Sequence, residues 1–217
     1  MKKMILSAAL VLASTAAMAQ SGTFQLKANL KNMGDTIIVY KGRGEKRDTI
    51  LVKKDKFTYS VTLNEPKQMM FAQPAIFRGG RAVAFELVGV PGETAELVGD
   101  LKTKFDIKGS NFYKQFAGVD VIKDEADKEL ADFEKSISEK MKNGGDREAL
   151  MKEYDEKAPA LTKAKEEKLL AFIGQHPDYE ASATLIGEMS SYENMQKAVD
   201  MLSAQVKNGR MKAYYEP

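Results

Sequence analysis

The sequence predicts an α+β protein: an antiparallel β-sandwich of about eight short strands, followed by an antiparallel helical bundle. Three observations predict it. From Thr23 to Lys108 apolar residues recur at every second position, which sends alternate side chains to one face of a sheet. Glycine- and proline-rich turns punctuate that stretch at short intervals. Beyond Gly109 and Ser110 the apolar spacing lengthens to three and four, the period of a helix.

Residues 1–19 come first and stand apart. Lys2 and Lys3, the apolar run Met4 to Ala13 and the small-residue end Ala17-Met18-Ala19 follow the layout of a secretory signal peptide. Cleavage is expected after Ala19, leaving Gln20 as the new N-terminus of a protein soluble in the periplasm or outer cell envelope. The run is shorter than the ~20 apolar residues of a membrane span, and no later stretch reaches that length. Losing Lys2 and Lys3 brings 33 basic residues level with 31 acidic ones. A formally neutral chain gives no support to nucleic-acid binding, which needs clustered positive charge. There is no cysteine, so no disulfide, no thiol chemistry and no lipid anchor through an N-terminal cysteine. The fold must rest on its apolar core.

Residues 20–108 form the strand region. Phe24, Leu26, Ala28 and Leu30 alternate with polar neighbours, as do Phe57, Tyr59, Val61 and Leu63. Between them Asp35-Thr36-Ile37-Ile38-Val39 and Asp48-Thr49-Ile50-Leu51-Val52 are near copies flanking the loop KGRGEKR, which reads as a pair of neighbouring strands. Met69-Met70-Phe71 is an apolar cluster that could face a partner, but fits a buried strand better. Gly79 and Gly80 mark a tight hairpin, and Pro91 and Gly92 a type II turn. Apolar runs ending near Val88, Val98 and Ile107 complete the set, as a sandwich or a barrel-like sheet.

Residues 109–217 form the helical region. Phe112, Phe116, Val119, Ala126, Leu130, Phe133, Ile137 and Met141 make one apolar stripe, with Ser110 as the expected N-cap. Asn143-Gly144-Gly145-Asp146 supplies a stop, a turn and a new cap. A second stripe passes through Leu150, Tyr154, Ala158, Leu161, Leu169 and Phe172, predicting an antiparallel pair. Pro159 costs a helix interior ~3 kcal/mol, so a kink or two helices end to end is expected there. Further helices are expected from about Glu180 to Met189 and from about Asn194 to Lys207.

The only histidine, His176, precedes Pro177, whose ring pushes it out of the α region. A helix corner is expected, with Asp178 capping the next helix. A catalytic triad or zinc site needs partners that one histidine without thiols does not supply. The loop containing Gly42 and Gly44 also holds Lys41, Arg43, Lys46 and Arg47, but a phosphate loop must run into a helix N-terminus. Both neighbours read as strands, so a solvated hairpin is expected. Asp124, Glu125, Asp127, Glu129, Asp132 and Glu134 alternate with lysines in the pattern of an exposed helix face. Tyr214 and Tyr215 are candidates to face a partner, and are otherwise expected to dock back on the helices or to mark the start of a further segment.

The runs TFQLKANLKNMGDTIIVY, FELVGVPGE, FDIKGSNFYKQF and FIGQHPD, in this order and with the second DTI and Phe57 between them, resemble an uncharacterised N-terminal domain. That domain is found on TlpA/ResA-type thiol–disulfide oxidoreductases of the Gram-negative envelope. The resemblance covers most of the chain after residue 19. In that family a β-rich domain and helical spacer precede an AhpC/TSA-like thioredoxin domain whose Cys-x-x-Cys pair carries the chemistry. This sequence reaches Pro217 without a cysteine, so no catalytic residue carries over. The resemblance also implies an O-glycosylation acceptor of the form Asp-Ser/Thr-apolar at Thr36 or Thr49, though a turn leading into a strand explains the same residues.

The expected function is therefore a non-catalytic periplasmic or envelope interaction module. No catalytic, cofactor-binding or metal-ligating residue is assigned, no cofactor is implied, and the binding surface is unassigned. The partner would be an envelope protein or ligand. An alternative is an accessory acting in trans with a separate thioredoxin-like oxidoreductase. A third reading, a cryptic carboxylate hydrolase, requires a concave pocket holding two acids in unlike environments.

Overall fold

The computed structural model describes residues 21–216; residues 1–20, on which the expected signal peptide and its cleavage after Ala19 fall, lie outside them. The fold is α+β, with eight strands in two four-stranded sheets followed by helices. The first sheet runs in the order β4 (Lys56–Leu63), β1 (Gly22–Lys31), β7 (Thr94–Asp100), β8 (Phe105–Gly109). The second runs β3 (Asp48–Leu51), β2 (Thr36–Tyr40), β5 (Lys67–Ala72), β6 (Ala84–Gly89). Neither sheet closes on itself, which removes the barrel-like alternative. Strands form where the sequence alternates: β1 buries Phe24, Leu26, Ala28 and Leu30 and exposes the residues between them. The two near-copy segments pair antiparallel as β2 and β3, with Ile37 opposite Ile50. Met69 and Phe71 are fully buried in β5.

One pair departs from the expected antiparallel arrangement: β1 and β7 are parallel, Leu26 beside Ala95 and Leu30 beside Gly99. The reason lies in the turn before β7. The Glu93 N–H donates to the Val90 carbonyl at 3.1 Å, and Gly92 has φ +78°, the geometry of a type II turn. That turn hands the chain from the second sheet to the first, so β7 enters alongside β1 instead of returning by a hairpin.

Gly79 and Gly80 do not close a tight hairpin. A 3₁₀ segment, Pro74–Arg78, lies between β5 and β6, with proline at its start and Gly79 at its end, a placement that favours a helical turn. Gln73 fixes its base, donating to the Asn32 carbonyl at 3.1 Å and accepting from the Val83 N–H at 3.3 Å.

Gly109 is where strand becomes helix. A Cβ there would stand 2.0 Å from the Thr94 carbonyl oxygen, so glycine alone lets β8 turn directly into α1 (Asn111–Lys142). Ser110 holds the N-cap position, but its side chain does not cap. Its hydroxyl accepts from the Thr94 N–H at 2.9 Å and donates to Glu93. The Phe112 N–H is taken by the Glu93 carboxylate at 3.3 Å, an acceptor supplied by the neighbouring turn.

α1 packs on α2 (Arg147–Gln175), and Asp146 caps α2 by accepting from Glu148 and Ala149. α2 runs through Pro159 as one helix instead of dividing. Pro159 and Asp155 are both exposed, so water can take the carbonyl that proline leaves without a donor. The expected helix after Pro177 is a 3₁₀ run, Glu180–Glu188, in which Ala181 to Ile186 are all buried. Six successive buried residues leave the middle of this run without the alternation of wet and dry faces that marks an amphipathic helix. Asp178 does not cap it; Tyr179 holds that position without a side-chain cap. The last expected helix divides into α3 (Tyr192–Met201) and α4 (Ala204–Lys207). The Ser203 N–H bonds the Pro177 carbonyl at 3.0 Å and its hydroxyl caps Val206, which breaks the run at Leu202. A final turn, α5 (Lys212–Tyr215), follows.

One apolar cluster joins the halves, from Phe24 and Phe71 of the two sheets through Phe112 and Tyr113 to Ile173, Leu185 and Met211. Ile137, Leu150 and Ala158 are buried in α1 and α2 outside it.

Candidate binding cleft at the strand-helix junction

Two adjoining hollows open where β5 and β6 meet the 3₁₀ run, α3 and α5. The outer one is an apolar groove of about 480 Å³ lined by Pro66, Ile186, Met195, Tyr214 and Tyr215. The inner one, about 150 Å³, reaches Phe116, Asp120, Lys123, Thr184 and Glu188. Gln68 and Tyr214 line both, and the Tyr214 hydroxyl donates to Gln68 Oε1 at 3.1 Å. Both C-terminal tyrosines dock back on the fold, since Tyr215 donates to the Lys207 carbonyl at 3.2 Å. Burial, then the charges of Glu188 and Glu86, push the Tyr214 phenol up to about 12. It is a neutral donor at physiological pH.

The inner hollow holds two carboxyls in unlike environments. Burial pushes Asp120 upward and the Asp124 charge adds to this, with Lys123 and Lys104 opposing. Burial acts the same way on Glu188, but Lys123 and Lys165 outweigh it and hold Glu188 below the usual carboxylate range. The ion pairs measure 2.5 Å to Lys123 and 3.4 Å to Lys165. Asp120 makes no ion pair among the described residues.

Arg210 secures the C-terminal wall. Its guanidinium donates to Glu180 at 2.6 and 3.0 Å, to Glu93 at 2.6 Å and to the Pro91 carbonyl at 3.0 Å. Burial pushes Glu93 upward, yet the bonds from Ser110, Arg210 and Phe112 prevail and hold it low. Glu166, buried in α2, is likewise committed to structure: it accepts from the Ser190 N–H and the Asn194 amide. Among the described residues every buried side-chain nitrogen or oxygen has a partner.

The residues singled out by sequence fall elsewhere. His176 ends α2 between the rings of Phe172 and Tyr179, at centroid distances of 4.5 and 4.6 Å. Its carbonyl accepts from the Tyr179 N–H and the Ser182 hydroxyl. The loop with Gly42 and Gly44 joins two strands, β2 and β3, and does not run on into a helix. Thr36 is half-buried in β2 and Thr49 exposed in β3. Asp124, Glu125, Glu129, Asp132 and Glu134 are exposed. Asp127 is half-buried and pairs with Lys165 at 2.6 Å. No group of three or more His, Cys, Asp or Glu side chains is placed to hold a metal among the described residues, and no described helix is long and apolar enough to cross a membrane.

Asp120 and Glu188 were not distinguishable as sequence. Asp120 lies beside Val119 at the margin of the α1 stripe, a position where a carboxylate reads as the edge of the wet face. Glu188 lies in a segment whose helical period is wrong. No protein-family model matches the chain, and no curated protein matches it.

Proposed function

We propose that the chain is a non-catalytic interaction module of the periplasm or outer cell envelope, holding its partner in the cleft bounded by Gln68, Ile186, Glu188, Met195 and Tyr214. In this reading the two sheets act as a sandwich scaffold and the helices as a bundle laid against it. The observation that carries it is the joining of an apolar groove to a small polar hollow across one hydrogen bond, Tyr214 to Gln68. A peptide segment with an apolar stretch and a polar tip fits that division. The inner hollow, at about 150 Å³, is below the roughly 300–1,000 Å³ of small-molecule sites and suits one side chain, while the adjoining groove of about 480 Å³ takes the segment that carries it. The resemblance to the domain that precedes thioredoxin folds nominates a Cys-x-x-Cys protein as partner.

A photocrosslinking residue at Met195, in the groove, should give a discrete adduct with an envelope protein in cells. The same probe at Val121, exposed on α1, should not. Matching adducts from both positions, or none from Met195, would reject the cleft.

Asp120 and Glu188 favour a second reading, acid–base hydrolysis, because they share a hollow and their pKa values move in opposite directions. Ester or glycoside turnover by the purified chain, lost in Asp120→Asn, would replace the binding reading with this one.

A further inference from the structure

We propose that a second surface, built from the β2–β3 loop and the segment between β5 and β6, docks the chain onto a lipid surface carrying anionic phosphate headgroups. The folded chain brings two loops together that are far apart in sequence. The Arg47 guanidinium lies 4.2 Å from the centre of the Phe77 ring and 5.9 Å from that of Tyr40, so KGRGEKR stands beside the 3₁₀ segment Pro74–Arg78. Arg43, Lys46, Arg47, Arg78 and Arg81 are all exposed. None belongs to an ion pair among the described residues, while the acids of the same loop are engaged. Glu45 pairs with Lys67, and Asp48 takes Lys41 at 2.9 Å and the Tyr59 hydroxyl at 2.7 Å.

The cations here are mostly arginines, and only Arg147 and Arg210 lie elsewhere in a chain otherwise rich in lysine. A guanidinium fork matches the paired oxygens of a phosphate where an ammonium does not. Half-buried rings, Tyr40 and Phe77, lie under Arg47, and the half-buried Ile76 adjoins Phe77 in the same 3₁₀ segment, a mixture of charge and apolar surface that suits the headgroup boundary of a bilayer. Single-stranded nucleic acid would require open ring faces for stacking; both aromatic rings are half-buried, and Arg47 covers Phe77. None of these cations lines the cleft, so the two surfaces are separate.

The test is co-sedimentation of the full chain with phosphatidylcholine vesicles, with and without phosphatidylglycerol. Stronger binding to the anionic vesicles is expected, weakened by added salt. At roughly fivefold per cation, Arg43→Gln with Arg78→Gln should lower it about 25-fold, while Arg147→Gln leaves it unchanged. Equal binding to neutral vesicles, or anionic binding indifferent to the double substitution, would overturn the proposal. So would arginine-dependent binding of polyglutamate or duplex DNA without arginine-dependent binding of vesicles.

Discussion

Glu93 collects three separate donors, the Ser110 hydroxyl, the Phe112 N–H and the Arg210 guanidinium. Its folded pKa lies below the ordinary 4.5, so its contribution is present above that pH and is lost as the pH falls through the lowered folded value. Glu93→Gln should cost about 2 kcal/mol near neutrality by losing charged hydrogen bonds. In urea titrations the gap to the wild type should close in acid. Asp120 has the opposite sign. Its folded pKa lies above the ordinary 3.8, so the folded state holds the proton more tightly and stability falls as the pH rises past that value. Asp120→Asn should therefore raise the Tm at neutral pH and lose the advantage in strong acid; a lower neutral Tm would contradict this. At this scale the sequence reveals positions better than partners. Ser110 is legible as the start of a helix, but the group that caps Phe112 arrives from a turn in another part of the chain, which no local pattern records.

Elements were legible where one face is wet and one is dry. Alternation marked β1 and β4 because each lies with one side on the core, and Asp146 announced α2 because a cap is a local bond. The failures have tertiary causes. In the 3₁₀ run Glu180–Glu188 the six residues Ala181 to Ile186 are all buried, so their spacing carries no helical stripe. Pro159 is a strong local breaker that packing overrides: Ala158 beside it is buried and the ring itself points to an exposed face. Since the helix persists there, Pro159→Ala should restore a bond to the Asp155 carbonyl and raise stability, by up to ~3 kcal/mol. Circular dichroism during thermal unfolding measures it, and a fall in Tm would show that the proline ring itself is needed.

The whole molecule is organised by one apolar cluster that begins in the strands and ends at Met211. The boundary near Gly109 was readable as a change of period, but not what that boundary produces. With strands and helices closed over a shared core, the cleft forms at their seam, from Gln68, Asp120, Glu188 and Tyr214, residues that no spacing rule connects. Its occupancy can be tested without disturbing the fold. Gly187 is exposed beside the groove, and a side chain added there meets nothing within 4 Å. Gly187→Phe should therefore fill the groove while leaving the Tm unchanged. The decisive measurement is the yield of the envelope adduct captured in cells by a photoprobe at Met195, with and without Gly187→Phe. A loss of tenfold or more, on the order of the 1.4 kcal/mol per decade of affinity, is predicted for the filled groove. An undiminished adduct from a normally folded Gly187→Phe chain would contradict binding in the cleft.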